Sequence, residues 1–185
     1  LFQLFTVVLL MMVCLFSIYV GAAEQADTPD LFTPCKDSSL FSDEQFLENA
    51  VGGGPLPDGI PPAENPIYES VASAGTWLQE RDPVFVVESQ EGVRLYPQPI
   101  MVYHEIVNSR FNGRSGSLTY CPLVGVAVGY YTDFNETDTT FGTSGKLVNN
   151  NLIMYDRHTG SYWPQILGEA ITGPLRSTLK LEAFP

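Results

Sequence analysis

The first 23 residues, Leu1 to Ala23, carry no charge, and within them Val7 to Phe16 is apolar without a break. As a helix rising about 1.5 Å per residue, such a segment reaches about 30 Å, the thickness of a hydrocarbon core. Its expected place is a bilayer or the core of an assembly, and the rest of the chain must build its own domain. Gly21-Ala22-Ala23 has the small residues of a signal-peptide cleavage site, but the chain begins at Leu1 with neither Met nor a basic region. A retained membrane anchor is therefore expected, with a filament-type core helix beneath a globular head as the alternative. The flank after the segment is acidic (Glu24, Asp27 and Asp30), which places the domain on the extracytoplasmic or extracellular face.

Charge narrows the function classes. The 185 residues carry a net charge of −12 with only nine Lys and Arg, too few for the basic surface that nucleic-acid phosphates require. Protein partners or self-assembly through Leu1–Ala23 are expected instead. Of the three cysteines, Cys14 lies in the apolar segment, so Cys35 and Cys121 are the one intrachain pair that an oxidising compartment would join.

The pattern divides the chain into a helix over 1–23, an acidic Gly/Pro-rich spacer over 24–57 and a β-rich domain over 58–185. In the spacer, Ser42 to Ala50 has a Ser cap and an acidic first turn, a short helix signature. The run Gly52 to Pro62 concentrates glycine and proline, which bars a regular element there. Val71, Ala74, Trp77 and Leu78 predict a helix over 70–81. From Pro83 onward, short β-rich runs alternate with turns. Val84–Glu88 and Val93–Tyr96 flank Gln90-Glu91-Gly92, Asn112-Gly113 is a strong hairpin turn, and Asp156–Gly160 joins Leu152–Tyr155 to Ser161–Trp163. Ser117–Tyr131 is a long β run with Gly125 and Gly129 where it bends. Phe141-Gly142-Thr143-Ser144-Gly145-Lys146 lacks the phosphate-loop spacing and reads as a turn. The expected fold is mainly β, an antiparallel sandwich or partly open barrel with one or two short helices.

Several unusual words occur in order: Asp58-Gly59-Ile60-Pro61, Tyr96-Pro97, His104-Glu105-Ile106-Val107-Asn108, Thr119-Tyr120-Cys121-Pro122-Leu123, Phe141 to Gly145, Asn151 to Arg157, Trp163-Pro164-Gln165 and Gly168-Glu169-Ala170. Together they resemble the family called domain of unknown function 3179, from about Asp58 to Pro185. The resemblance implies a fold and a habit of export but no activity, and it implies that the pattern continues beyond Pro185. Members often carry a second cysteine or a threonine three residues after the position of Cys121. Val124 stands there, so a redox-active Cys-x-x-Cys is excluded.

Three chemical readings follow from particular residues. His104 and Cys121 on neighbouring strands, with Met101 or Met154 as a thioether, begin a copper site. The plainer reading makes Cys121 a buried small hydrophobe and His104 a hydrogen-bonded strand residue. In a cysteine-dependent enzyme Cys121 would be the nucleophile, His104 the base and Asp156 the orienting group; Glu105 would face away from His104 if that stretch is extended. Asp156 and Arg157 beside Trp163 form either a ligand-facing cluster or an ion pair steadying a hairpin. Asn135-Glu136-Thr137 is an N-glycosylation sequon. The ranking places a structural or interaction subunit first, a copper or small-ligand binding domain second and the enzyme third.

Overall fold

Alternating β-branched and aromatic residues, punctuated by turns that accept positive φ, build strands through most of the second half of the chain. The computed structural model describes residues 48–134, 137–177 and 180–184. The chain divides into two units, Leu1–Lys36 and Asp37–Pro185. The first unit, with the apolar segment, Cys14 and Cys35, lies outside the described residues, as does Asn135 of the sequon. Of the helix expected over 42–50, Glu48, Asn49 and Ala50 are described; Glu48 and Asn49 are helical and Ala50 is not. Among the described residues no helix is long and apolar enough to cross a membrane.

The architecture is mainly β. One sheet has five strands in the order β13 (Ala183–Phe184), β7 (Val126–Tyr131), β6 (Arg114–Cys121), β5 (Ile106–Phe111) and β2 (Ala63–Glu64), with only the β2–β5 pair parallel. A second sheet is antiparallel in the order β1 (Val51–Gly52), β10 (Phe141–Val148), β11 (Asn151–Asp156) and β12 (Tyr162–Pro164). Two hairpins complete it, β3 (Val84–Ser89) with β4 (Gly92–Pro97) and β8 (Asp133–Phe134) with β9 (Thr137–Asp138). The helices are α1 (Val71–Ala74) and α2 (Gln98–His104).

The five-stranded sheet buries both faces. Along β6, Leu118 and Tyr120 join a core with Val87, Tyr96 and Met101 from the β3–β4 hairpin and α2, while Cys121 joins a second core with Phe141, Met154 and Trp163 of the four-stranded sheet. Two buried amides join the main sheets. Asn108 on β5 accepts from the Phe141 amide (3.1 Å) and donates to its carbonyl (2.8 Å) on β10. Gln165, just beyond β12, donates to the carbonyl of Val126 (2.9 Å) and the hydroxyl of Thr119 (3.1 Å), and its Oε1 accepts from Asn151 (2.8 Å). Buried amides so fully partnered fix one relative placement of the sheets, because any slip strands polar groups without water.

Three local expectations change. Phe141–Lys146 is not a turn but most of strand β10, with a bulge between Thr143 and Lys146. Gly145 there has φ +71°, and a Cβ on it would run into the Pro55 carbonyl, so the run looks turn-like only because another segment lies against it. The helix expected over 70–81 is the four residues of α1; Val71 is 73% exposed and Trp77 44%, so no packed face supports a longer helix. His104 is not in a strand but ends α2, which Pro99 opens in its first turn. The three expected hairpin turns all form. Asn112 and Gly113 both take positive φ, +53° and +73°, and Gly129 turns out to be where the Phe184 ring lies on β7.

Candidate functional site

The β5–β6 hairpin, the end of β7, the approach to β10 and the β11–β12 turn together line a pocket of about 450 Å³, within the range of small-molecule sites. Apart from Gly116, the residues that line it carry polar side chains. Ser109 and Arg110 come from β5, Ser115 from β6, Thr132 from the residue after β7, and Arg157 with His158 from the β11–β12 turn.

One wall is built around Arg157. Its guanidinium donates to Glu64 (2.5 Å), the Thr140 hydroxyl (3.1 Å) and Asp58 (3.2 Å). The Tyr155 hydroxyl donates to the same Asp58 oxygen at 2.5 Å. Burial opposes the charge on Arg157, but hydrogen bonds to Glu64, Tyr155 and Asp58 outweigh it and raise its pKa. Asp58 is reached because the segment before β2 lies along β10: its amide bonds to the Thr143 carbonyl (2.8 Å), and the Thr143 hydroxyl bonds to the Ile60 carbonyl (2.9 Å). Gly142 is needed at that crossing, since a Cβ there would meet the Asp58 carboxylate and the Tyr155 ring. Asn108, behind this wall, is fully engaged: besides Phe141 it donates to Glu64 (2.9 Å) and accepts from the Ser117 hydroxyl (2.5 Å).

The other wall is chemically open. Thr132 is only 1% exposed, and its buried hydroxyl, like Asp58 Oδ1 on the Arg157 side, has no hydrogen-bond partner among the described residues. The side chains of Asn65, Ser109, Ser115, Asp138 and His158, also on the lining, make no hydrogen bond or ion pair among the described residues. A pocket with one wall tied together by Arg157 and one wall of uncommitted donors and acceptors is arranged to hold a polar molecule.

The residues singled out from the sequence lie elsewhere. Cys121 is a free thiol, 1% exposed, bonded to the Asn150 carbonyl at 3.5 Å. Met154 shares its core cluster, and Met101 belongs to the other one. The Tyr120 amide donates to the Glu105 carbonyl (2.7 Å), so the β5–β6 ladder continues toward His104, but the imidazole turns to the Pro61 carbonyl (2.7 Å) and packs edge-on against Tyr103. No hydrogen bond joins His104 to Cys121. Asp156 is fully buried and holds the β11–β12 turn, accepting from the Thr159 amide (2.6 Å), the Thr159 hydroxyl (2.8 Å) and the Trp163 indole (3.0 Å). Among the described residues no three His, Cys, Asp or Glu side chains group as metal ligands. Glu105 ends α2 with φ +57°, and burial pushes its carboxyl up to about 7.

Of the pocket, only Arg157 was singled out in advance, as half of a pair with Asp156; its carboxylate partners are Asp58 and Glu64 instead. The traceable signals are polar residues inside β runs and family words, Asn108 and Asp58. Nothing local marks Thr132, whose role depends on what surrounds it.

A second surface is apolar. On the outer side of the β3–β4 hairpin Val86 pairs with Leu95, and they are 52% and 40% exposed; Val84 and Val93 continue the strip.

The family model described as Protein of unknown function (DUF3179) matches residues 57–185. The chain belongs to this family. No curated protein and no solved structure matches it.

Proposed function

For this member of the DUF3179 family we propose a binding module that takes a small polar ligand in the pocket between its two main sheets and is presented outside the cytoplasm by Leu1–Ala23. The observation that carries the reading is a pocket of about 450 Å³ on whose lining the side chains of Asn65, Ser109, Ser115, Asp138 and His158 make no hydrogen bond or ion pair among the described residues, leaving them to a polar ligand. The fold it implies is a β-sandwich with the β3–β4 hairpin and α2 packed on one outer face, supported by a core cluster that draws on both main sheets. Small-ligand binding was ranked second from the sequence; here its site moves from His104 and Cys121 to the pocket. The test is a thermal-shift screen of small polar compounds on the full chain in detergent. A true ligand at 100 times its Kd stabilises by about 2.7 kcal/mol, and a Ser115→Trp variant, which fills the pocket, abolishes the shift. A hit that stabilises the Trp variant equally contradicts the reading.

A subunit that contacts other copies or a protein partner is the second reading, favoured by the apolar strip of the β3–β4 hairpin. Anchoring and contact are compatible, and isolated particles of native material in electron microscopy would reject the filament form.

A further inference from the structure

The free edge of the β3–β4 hairpin singles out a partner. We infer that β3 pairs edge to edge with β3 of a second copy, antiparallel and about a two-fold axis, to make one continuous sheet; this rests on the contact reading above. The hairpin is a sheet of two strands, and no third strand joins it among the described residues. Its ladder fixes which backbone groups are left over. The Gln98 amide donates to the Pro83 carbonyl (2.9 Å), in register with the β3–β4 pairs, and bonded pairs alternate along an antiparallel ladder. Phe85, Val87 and Ser89 therefore bond to β4, while Val84, Val86 and Glu88 point their N–H and C=O groups away from it. None of those groups finds a partner among the described residues.

The pattern of this edge suits its own copy. Val84 and Glu88 stand symmetrically about Val86, so a two-fold axis there sets Val86 against its counterpart and Val84 against Glu88 of the second copy. Every open group on both strands is then bonded, in a contact that uses the same patch twice. Charge permits it, because Glu88 is the one ionisable side chain in β3 and it meets a valine, so no like charges are opposed. The devices that block edges are missing from β3, which has neither Pro nor Lys. On β4, by contrast, Pro97 pairs with Val84 and so puts its missing N–H on the outer edge. Val84 and Val86 are 36% and 52% exposed, and β-branched side chains favour the paired strand.

The test measures self-association of the full chain in density-matched detergent by sedimentation equilibrium, for the parent, Val86→Pro and Leu95→Ser. Val86→Pro removes the central outward N–H and spares the bonds to β4. Leu95→Ser removes an apolar side chain from the same outer face and spares the β3 edge. The parent is expected to dimerise, Val86→Pro to do so about tenfold or more weakly for its two lost reciprocal hydrogen bonds, and Leu95→Ser within about twofold of the parent. Circular dichroism confirms that the variants are folded. Amide exchange in the parent needs no variant: Val84, Val86 and Glu88 are expected to exchange more slowly as concentration rises. If Leu95→Ser weakens the dimer and exchange along β3 does not depend on concentration, the contact runs through the apolar face; the edge pairing is overturned and the contact reading stands. If a dimer forms that neither variant weakens, both fall. A parent that stays monomeric overturns the pairing and leaves the contact reading to a different protein partner.

Discussion

Glu105 shows how one residue carries two costs. Its φ of +57° is unfavourable for a side chain with a Cβ, and burial raises its carboxyl to about 7. A carboxyl whose pKa is raised on folding binds more protons folded than unfolded, so between the unfolded value near 4.5 and about 7 stability falls as pH rises. The group is partly open to solvent, and screening reduces the effect to about 1 kcal/mol. Glu105→Gln is therefore expected to be more stable than the parent at pH 8 by about that amount and to lose the difference at pH 4, as urea midpoints would measure. A parent midpoint that rises from pH 5 to pH 7 by more than in Glu105→Gln would reverse the sign. None of this was legible in the sequence, because His104-Glu105 reads as part of a strand until α2 is seen to end there.

At the scale of elements, legibility followed how local the cause was. The β3–β4, β5–β6 and β11–β12 hairpins were readable because their turns are set by neighbouring residues, as with Asn112-Gly113. Strand β10 was not, because its glycines answer to Pro55 and Asp58, which lie far off in sequence. Helix α2 was missed for a related reason: Ile100, Met101 and Val102 look like a β run, and only Met101 is buried. The family words fare better than their chemistry suggested. Asn108 and Gln165, both inside them, join the main sheets, and Asn151 holds the Gln165 amide in place. Asn108→Ala is expected to cost about 3 kcal/mol, since it strands both polar atoms of Phe141 and the Ser117 hydroxyl; a loss under about 1 kcal/mol in denaturant melts would show that the joint is not at Asn108. On the outer hairpin face, Val86→Lys with Leu95→Lys is expected to change stability by less than about 0.5 kcal/mol. Sedimentation of the double variant should show less self-association than the parent, and unchanged sedimentation would count against the contact reading.

For the whole molecule, the sequence correctly conveyed a mainly β domain and its family, and it pointed to His104, Cys121 and Asp156 as the chemistry. The structure gives each of those an ordinary partner, a backbone carbonyl or a turn. The uncommitted polar side chains collect instead on the pocket lining, brought together from β5, β6, β9 and the β11–β12 turn, which is why no short motif announced them. The most direct test of the account is to map the amide resonances of the full chain in micelles while adding a compound that stabilises it in the thermal-shift screen. The account predicts that the largest changes fall at Ser109, Ser115, Thr132, Thr139 and Thr140. Changes centred on His104 and Cys121, or on the Val86 and Leu95 face, would contradict it.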